Sequence, residues 1–211
     1  MKIYIGSDWH FSRYKKSTGK IIADKNTINE ILKKYKNTVK KDDIFIFLGD
    51  LTAVRDNNPD FVKKAINEIK KLPGTKILIR GNNDIEPDDY YKNIGFVLVE
   101  HRLEIGDFIF THEPCELTEN QINIHGHIHG ADDYWDVDGK NHVDGFTGLF
   151  DMYPIELSTL LKQGHRIDKK LLNSFKIKRL YADINTHIYC ETNIKLGFFK
   201  NTSEIEIGYN K

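Results

Sequence analysis

The chain has 211 residues, enough for one sizeable α/β domain around a single core and less naturally divided in two. Lysine plus arginine and aspartate plus glutamate each number 31, so there is no global positive excess of the kind that gives non-specific affinity for nucleic-acid backbones. No apolar run approaches the roughly eighteen residues that suggest a membrane span. The only cysteines, Cys115 and Cys190, are far apart without a CxxC, which favours reduced thiols over a disulfide or a structural zinc site.

The N-terminus, MKIYIGSDWH, enters an apolar strand directly, without the charged-then-apolar arrangement of a secretory signal, so a cytoplasmic location is expected. Strands are expected over residues 2–6 (KIYIG), 44–48 (IFIFL) and 76–80 (KILIR), with helices between them. The first helix is expected over 27–40, with Thr27 and Glu30 as a capping box and Ile28, Ile31, Leu32 and Tyr35 at helical spacing. The second opens at Asn58-Pro59, puts Phe61, Ala65, Ile66 and Ile69 on one face, and closes at Pro73-Gly74.

Such alternation predicts a parallel sheet covered by helices. Residues 96–100, 101–105, 108–111 and 121–125 then read as short strands with no room for crossover helices, so a second, more antiparallel sheet is expected against the first. Beyond it, 156–163 and 168–175 read as helices, and 179–189 and 204–209 as strands. No Pro/Gly/Ser-rich linker intervenes. One domain over 1–164 carrying a C-terminal α+β extension over 165–211 is therefore expected.

Each strand of the first half ends in a polar ligand type: Asp8 and His10, then Asp50, then Asn82. In open parallel sheets the C-terminal strand ends share one rim, where ligands bind. The second half adds His112 and the run His125-Gly126-His127-Ile128-His129. If that run is extended, His127 and His129 share a face, and Gly126 allows a close backbone approach. Two aspartates, an asparagine and several histidines form a mixed oxygen and nitrogen set suited to Zn, Mn, Fe, Co or Ni. Singly, each is an ordinary turn or core residue; the ordered coincidence is what points to a metal site.

The ordered motifs Asp8-Trp9-His10, Gly49-Asp50, Gly81-Asn82-Asn83-Asp84, His112 and Gly126-His127-Ile128-His129 resemble those of the calcineurin-like metallophosphoesterases. Short members of that family are also similar in the wording ILIRGN, IHGHIHG, HVDG and YPIEL. The resemblance implies a four-layer αββα sandwich with mixed sheets and two divalent metal ions at the rim, manganese foremost. It implies that Asp8, His10 and His129 hold one ion, that Asn82, His112 and His127 hold the other, and that Asp50 bridges them. The implied reaction is phosphoester hydrolysis by attack of metal-bound hydroxide.

The chain departs from the family at Asn83, where many members carry a histidine that contacts the scissile phosphate or protonates the leaving oxygen. An amide donates hydrogen bonds but delivers no proton near neutral pH. His125, from the same loop as His127 and His129, is read either as an alternative donor or as a packing residue or support behind the ligands, and Arg13, Arg55 and Arg80 either as phosphate anchors or as solvated surface arginines. Trp9 and Tyr134-Trp135 are read either as base-stacking aromatics or as packing.

The function expected is a phosphodiesterase acting on a small or nucleotide-derived diester. The alternatives are a phosphomonoesterase, a dinucleoside polyphosphate hydrolase, or a non-catalytic scaffold on the same fold. A homodimer is a further expectation, from the apolar Phe198-Phe199 and residues 205–209.

Overall fold

The computed structural model describes residues 1–11, 14–15, 20–21, 23–52, 60–130, 141–163 and 177–195. Arg13, Arg55, Tyr134-Trp135, the expected helix 168–175, the expected strand 204–209 and Phe198-Phe199 lie outside them.

In chain order the strands are β1 (Ile3–Gly6), β2 (Tyr14–Lys15), β3 (Lys20–Ile21), β4 (Ile44–Phe47), β5 (Thr75–Ile79), β6 (Leu98–Glu100), β7 (Arg102–Ile105), β8 (Phe108–Thr111), β9 (Ile122–His125), β10 (His142–Asp144) and β11 (Ile155–Glu156). The helices are α1 (Lys25–Thr38), α2 (Asp60–Ile69), α3 (Asp88–Asn93), α4 (Leu157–Gln163) and α5 (Ile177–Lys195). One sheet runs β11-β1-β4-β5-β6 and the other β10-β9-β8-β7, while β2 and β3 pair separately. Two mixed sheets with five helices make the α/β sandwich that was expected.

Alternation along the strands builds two cores from one sheet. In β4, Ile44 and Ile46 face the inter-sheet core, and Phe45 and Phe47 face the opposite core under α1 and α2. The inter-sheet core is mostly aliphatic and includes Ile3, Ile5, Ile77 and Ile79 with Ile122, Ile124 and Val143 of the second sheet. The outer core is aromatic, centred on Tyr35, Phe45, Phe47 and Trp9. Each fully buried side chain of this size contributes roughly 1.5–3 kcal/mol.

Three sequence expectations are corrected here, and two elements are added. α1 is capped by Asp24, whose Oδ1 accepts the Thr27 N–H at 2.9 Å, so the helix starts earlier than a Thr27 cap allows. The second sheet is more parallel than expected: only β7 and β8 are antiparallel, while β9 runs parallel to both β8 and β10. α3 and β10 occupy stretches without a strong periodic signal. Finally, residues 179–189 belong to helix α5, not to a strand. Its β-branched and aromatic residues suggest a strand, but Leu180, Ile184 and Ile188 recur every four residues and dock on the inter-sheet core as one helical face.

Candidate metal centre

The register of the first sheet sets Gly6 opposite Phe47 and Phe47 opposite Leu78, so β1, β4 and β5 finish together. The chain beyond β1 then runs beside the chain beyond β4. The Asp8 N–H donates to the Gly49 carbonyl at 2.9 Å, and the His10 N–H to that of Asp50 at 3.0 Å. On the second sheet, parallel β8 and β9 deliver His112 and the loop from Gly126 to the same rim, where the Gly126 N–H donates to the His112 carbonyl at 2.9 Å.

The side chains converge through unusual backbone rather than through strand alternation. Asp8, His10, Asp50, His127 and His129 all have φ between 43° and 68°. These are five of the eight non-glycine residues with positive φ among the described residues. The left-handed region costs L-residues roughly 1–2 kcal/mol each, and Asp, Asn and His tolerate it best. Strain gathered on one set of side chains marks a functional site. His127 and His129 therefore converge from a left-handed turn, and the extended run expected from the sequence is not what aims them. Gly126 does permit a close approach: a Cβ there would press on Asp8 Oδ2 at 2.6 Å.

Seven side chains meet in two groups. In the first, His129 Nε2 lies 3.1 Å from both Asp8 Oδ1 and His10 Nε2, and His10 Nε2 lies 3.7 Å from Asp50 Oδ2. In the second, Asn82 Oδ1 lies 3.1 Å from both His112 Nε2 and His127 Nδ1, and His112 Nε2 lies 3.6 Å from Asp50 Oδ1. Asp50 thus presents one carboxylate oxygen to each group. Asp8 and Asp50 are buried in the centre, whereas Asn82 is exposed.

The donors fit divalent ions. His112 Nδ1 sits 2.6 Å from the Leu48 carbonyl, which only accepts, so the ring proton lies there and Nε2 turns a lone pair inward. In a neutral ring that lone pair lies beside the oxygens of Asn82 and Asp50, and a cation between them would take all three as donors. An ion about 2.1 Å from each donor separates neighbouring donors by roughly 3.0–3.4 Å, which matches the 3.1 Å contacts. Burial alone raises the Asp8 carboxyl, but hydrogen bonding with His10 and His129 outweighs it and holds the group well below the usual carboxylate range.

The remaining candidates fall elsewhere. Asn83 turns to Asp50: its backbone N–H reaches Oδ1 at 2.9 Å and its Nδ2 reaches Oδ2 at 2.6 Å. Asp84 staples two loops, accepting the N–H groups of Asp50, Gly81 and Leu51 at 2.8, 2.9 and 3.1 Å. Burial pushes its carboxyl up against those donors. Arg80 spends its guanidinium on the Asp84 and Glu86 carbonyls and on Asp88, holding the loop that follows β5. His125 is fully buried in the second sheet, its Nδ1 beside the Gly126 carbonyl, and burial pushes its pKa down to about 4. Trp9 packs among Phe11, Tyr35, Phe45 and Phe47 in the outer core and offers no stacking face at the rim.

Two facing mixed sheets with metal-ligating side chains gathered at a shared rim define an α/β protein with a candidate metal centre. A family profile described as calcineurin-like phosphoesterase matches residues 1–190, and the chain belongs to that family. With this donor set, membership makes it a metal-dependent phosphoesterase. An uncharacterized protein of Methanocaldococcus jannaschii is 27% identical over 171 residues, covering 76% of this chain and 90% of that one. A protein of unknown function from Aquifex aeolicus shares the fold with a TM-score of 0.54 at 20% identity, covering 76% of this chain and 98% of its own. A Pseudomonas putida nuclease is similar with a TM-score of 0.47 at 20% identity over 60% of this chain and 61% of its own.

Proposed function

We propose that the chain is a dinuclear metal-dependent phosphodiesterase acting on a small or nucleotide-derived phosphodiester. The observation that carries this reading is the pair of donor groups sharing Asp50, with the His112 lone pair turned toward oxygens. In this reading Asp8, His10 and His129 hold one ion, Asn82, His112 and His127 hold the other, and Asp50 serves both. When bound, the two ions supply Lewis acidity toward a phosphoryl oxygen and lower the pKa of water. The mixed donor set suits manganese, with Zn, Fe, Co and Ni as competitors.

The chain's own residues orient and restrain. Asp84 fixes the Asp50 and Asn82 loops against each other, and Arg80 fixes the return of the second. Asn83 steadies both oxygens of Asp50 but holds no proton to give a leaving alkoxide. His125, buried and kept neutral near pH 7, is a packing residue in this reading rather than an acid. Missing general acid catalysis favours stable leaving groups, since that catalysis is typically worth about 10²- to 10⁴-fold.

Balanced charge fits a small substrate better than a polyanion. A cytoplasmic location belongs to the same reading, supported by the two free thiols Cys115 and Cys190. So does a single domain over 1–164 with the tail as its extension, since Leu180 and Ile184 of α5 are buried in the inter-sheet core.

The test is hydrolysis of bis-p-nitrophenyl phosphate and p-nitrophenyl phosphate by chelator-treated protein resupplied with manganese. The diester is the better substrate here. Faster hydrolysis of the monoester contradicts the proposal.

A further inference from the structure

His129 is the one member of the first donor group that comes from the second sheet, and it sits on two consecutive left-handed residues, His129 at φ 52° and Gly130 at φ 77°. Such a turn needs external restraint. The end of β10 and the segment after it supply this restraint. Asp144 Oδ2 accepts the Gly130 N–H at 2.8 Å, while Oδ1 accepts the Phe146 N–H at 2.8 Å. The Phe146 ring then lies flat against the His129 imidazole, with centroids 4.6 Å apart and planes 12° apart. Thr147 closes the bracket on the other side: its Oγ1 accepts the Ser7 N–H at 2.8 Å and donates to the Ser7 carbonyl at 2.7 Å, immediately before Asp8. β10 itself is anchored in parallel register to β9, with Asp144 opposite His125.

We propose that Asp144 and Phe146 are positioning residues for His129: the carboxylate pins the left-handed turn and the ring fixes the imidazole plane, so that together they set the metal affinity of the first donor group. This rests on the dinuclear reading above. Groups that orient metal-ligating histidines through a second contact typically change metal affinity by about 10- to 100-fold when removed. The Phe146–His129 stack is of the kind that aromatic rings favour when offset. Nothing in the motif set requires either residue as a ligand. Their contacts fall on the His129 side of the centre, whereas Asn82 lies against His112 and His127, and His112 against Leu48, so the larger effect is expected on the first donor group.

The test is calorimetric titration of chelator-treated full-length protein with manganese(II). Asp8→Asn identifies which of the two binding classes belongs to the first group. Phe146→Leu and Asp144→Ala then weaken that class about 10- to 100-fold and change the other by less than about threefold, while Phe146→Tyr, which keeps a ring, behaves as wild type. A general loosening of the fold weakens both classes alike, and that result overturns the positioning role. So does a first class unchanged in Phe146→Leu, a half-buried site whose substitution leaves the core intact. Wild-type protein that takes up no manganese overturns the dinuclear reading itself, and the proposal with it.

Discussion

The two halves of the centre are assembled from the same two sheets, yet they differ in charge and exposure. The first is anchored on Asp8, a buried carboxylate held ionised by its histidine neighbours. The second offers a neutral amide, Asn82, on the exposed side, with two imidazoles. Each lies beside a different oxygen of Asp50, Oδ2 for the first and Oδ1 for the second. A full negative charge in a partly desolvated site attracts a dication far more strongly than an amide dipole does. In the proposed dinuclear reading the first half therefore holds the tighter ion and the second a more exchangeable one.

The largest effect expected is at the shared residue. Asp50→Asn abolishes diester hydrolysis by about 10³-fold or more, the several kcal/mol that metal ions supply, and calorimetry shows both metal classes weakened. Next comes the asymmetry itself. Asp8→Asn weakens the tighter class by about 10²-fold, while Asn82→Asp tightens the weaker class; the same change in both variants would erase the distinction.

A smaller effect appears in stability rather than catalysis. His125 is neutral in the fold down to about pH 4, whereas an unfolded imidazole protonates near 6.5, so the unfolded chain binds more protons between those values. Stability therefore rises with pH across that window and levels off above it. Urea unfolding of metal-free protein at pH 5 and pH 7 shows a contribution from this residue of about 2 kcal/mol, and His125→Asn removes it. The smallest effect is at Asn83. Asn83→His gains about tenfold on diesters with poor leaving groups and little on p-nitrophenyl diesters, because Asp84 is committed to three backbone N–H groups and does not orient the new ring.

The sequence reveals most of this centre because the ligands are punctuation at strand ends. Asp8, Asp50, Asn82 and His112 each follow an apolar run, and parallel strands finishing together do the rest. The route by which His127 and His129 converge is not legible. Alternation is the natural inference from residues two apart, but positive φ at both positions leaves no mark in an HxH string. Asp144 and Phe146 are hidden for a related reason: HVDG is visible as wording, but what it grips depends on β10 lying parallel beside β9. Helix α5 shows tertiary packing overriding composition, since strand-prone residues spaced by four find a core to cover. The cap at Asp24 shows an aspartate preempting a threonine that also satisfies the local pattern.

The central claim, that Asp50 is shared by two ions held in unlike halves, is tested most directly by electron paramagnetic resonance of protein titrated with manganese(II). The account predicts an isolated manganese signal at the first equivalent and an exchange-coupled spectrum at the second, with the coupling lost in Asp50→Asn. Two equivalents that give only isolated, uncoupled manganese signals in the wild-type protein contradict it.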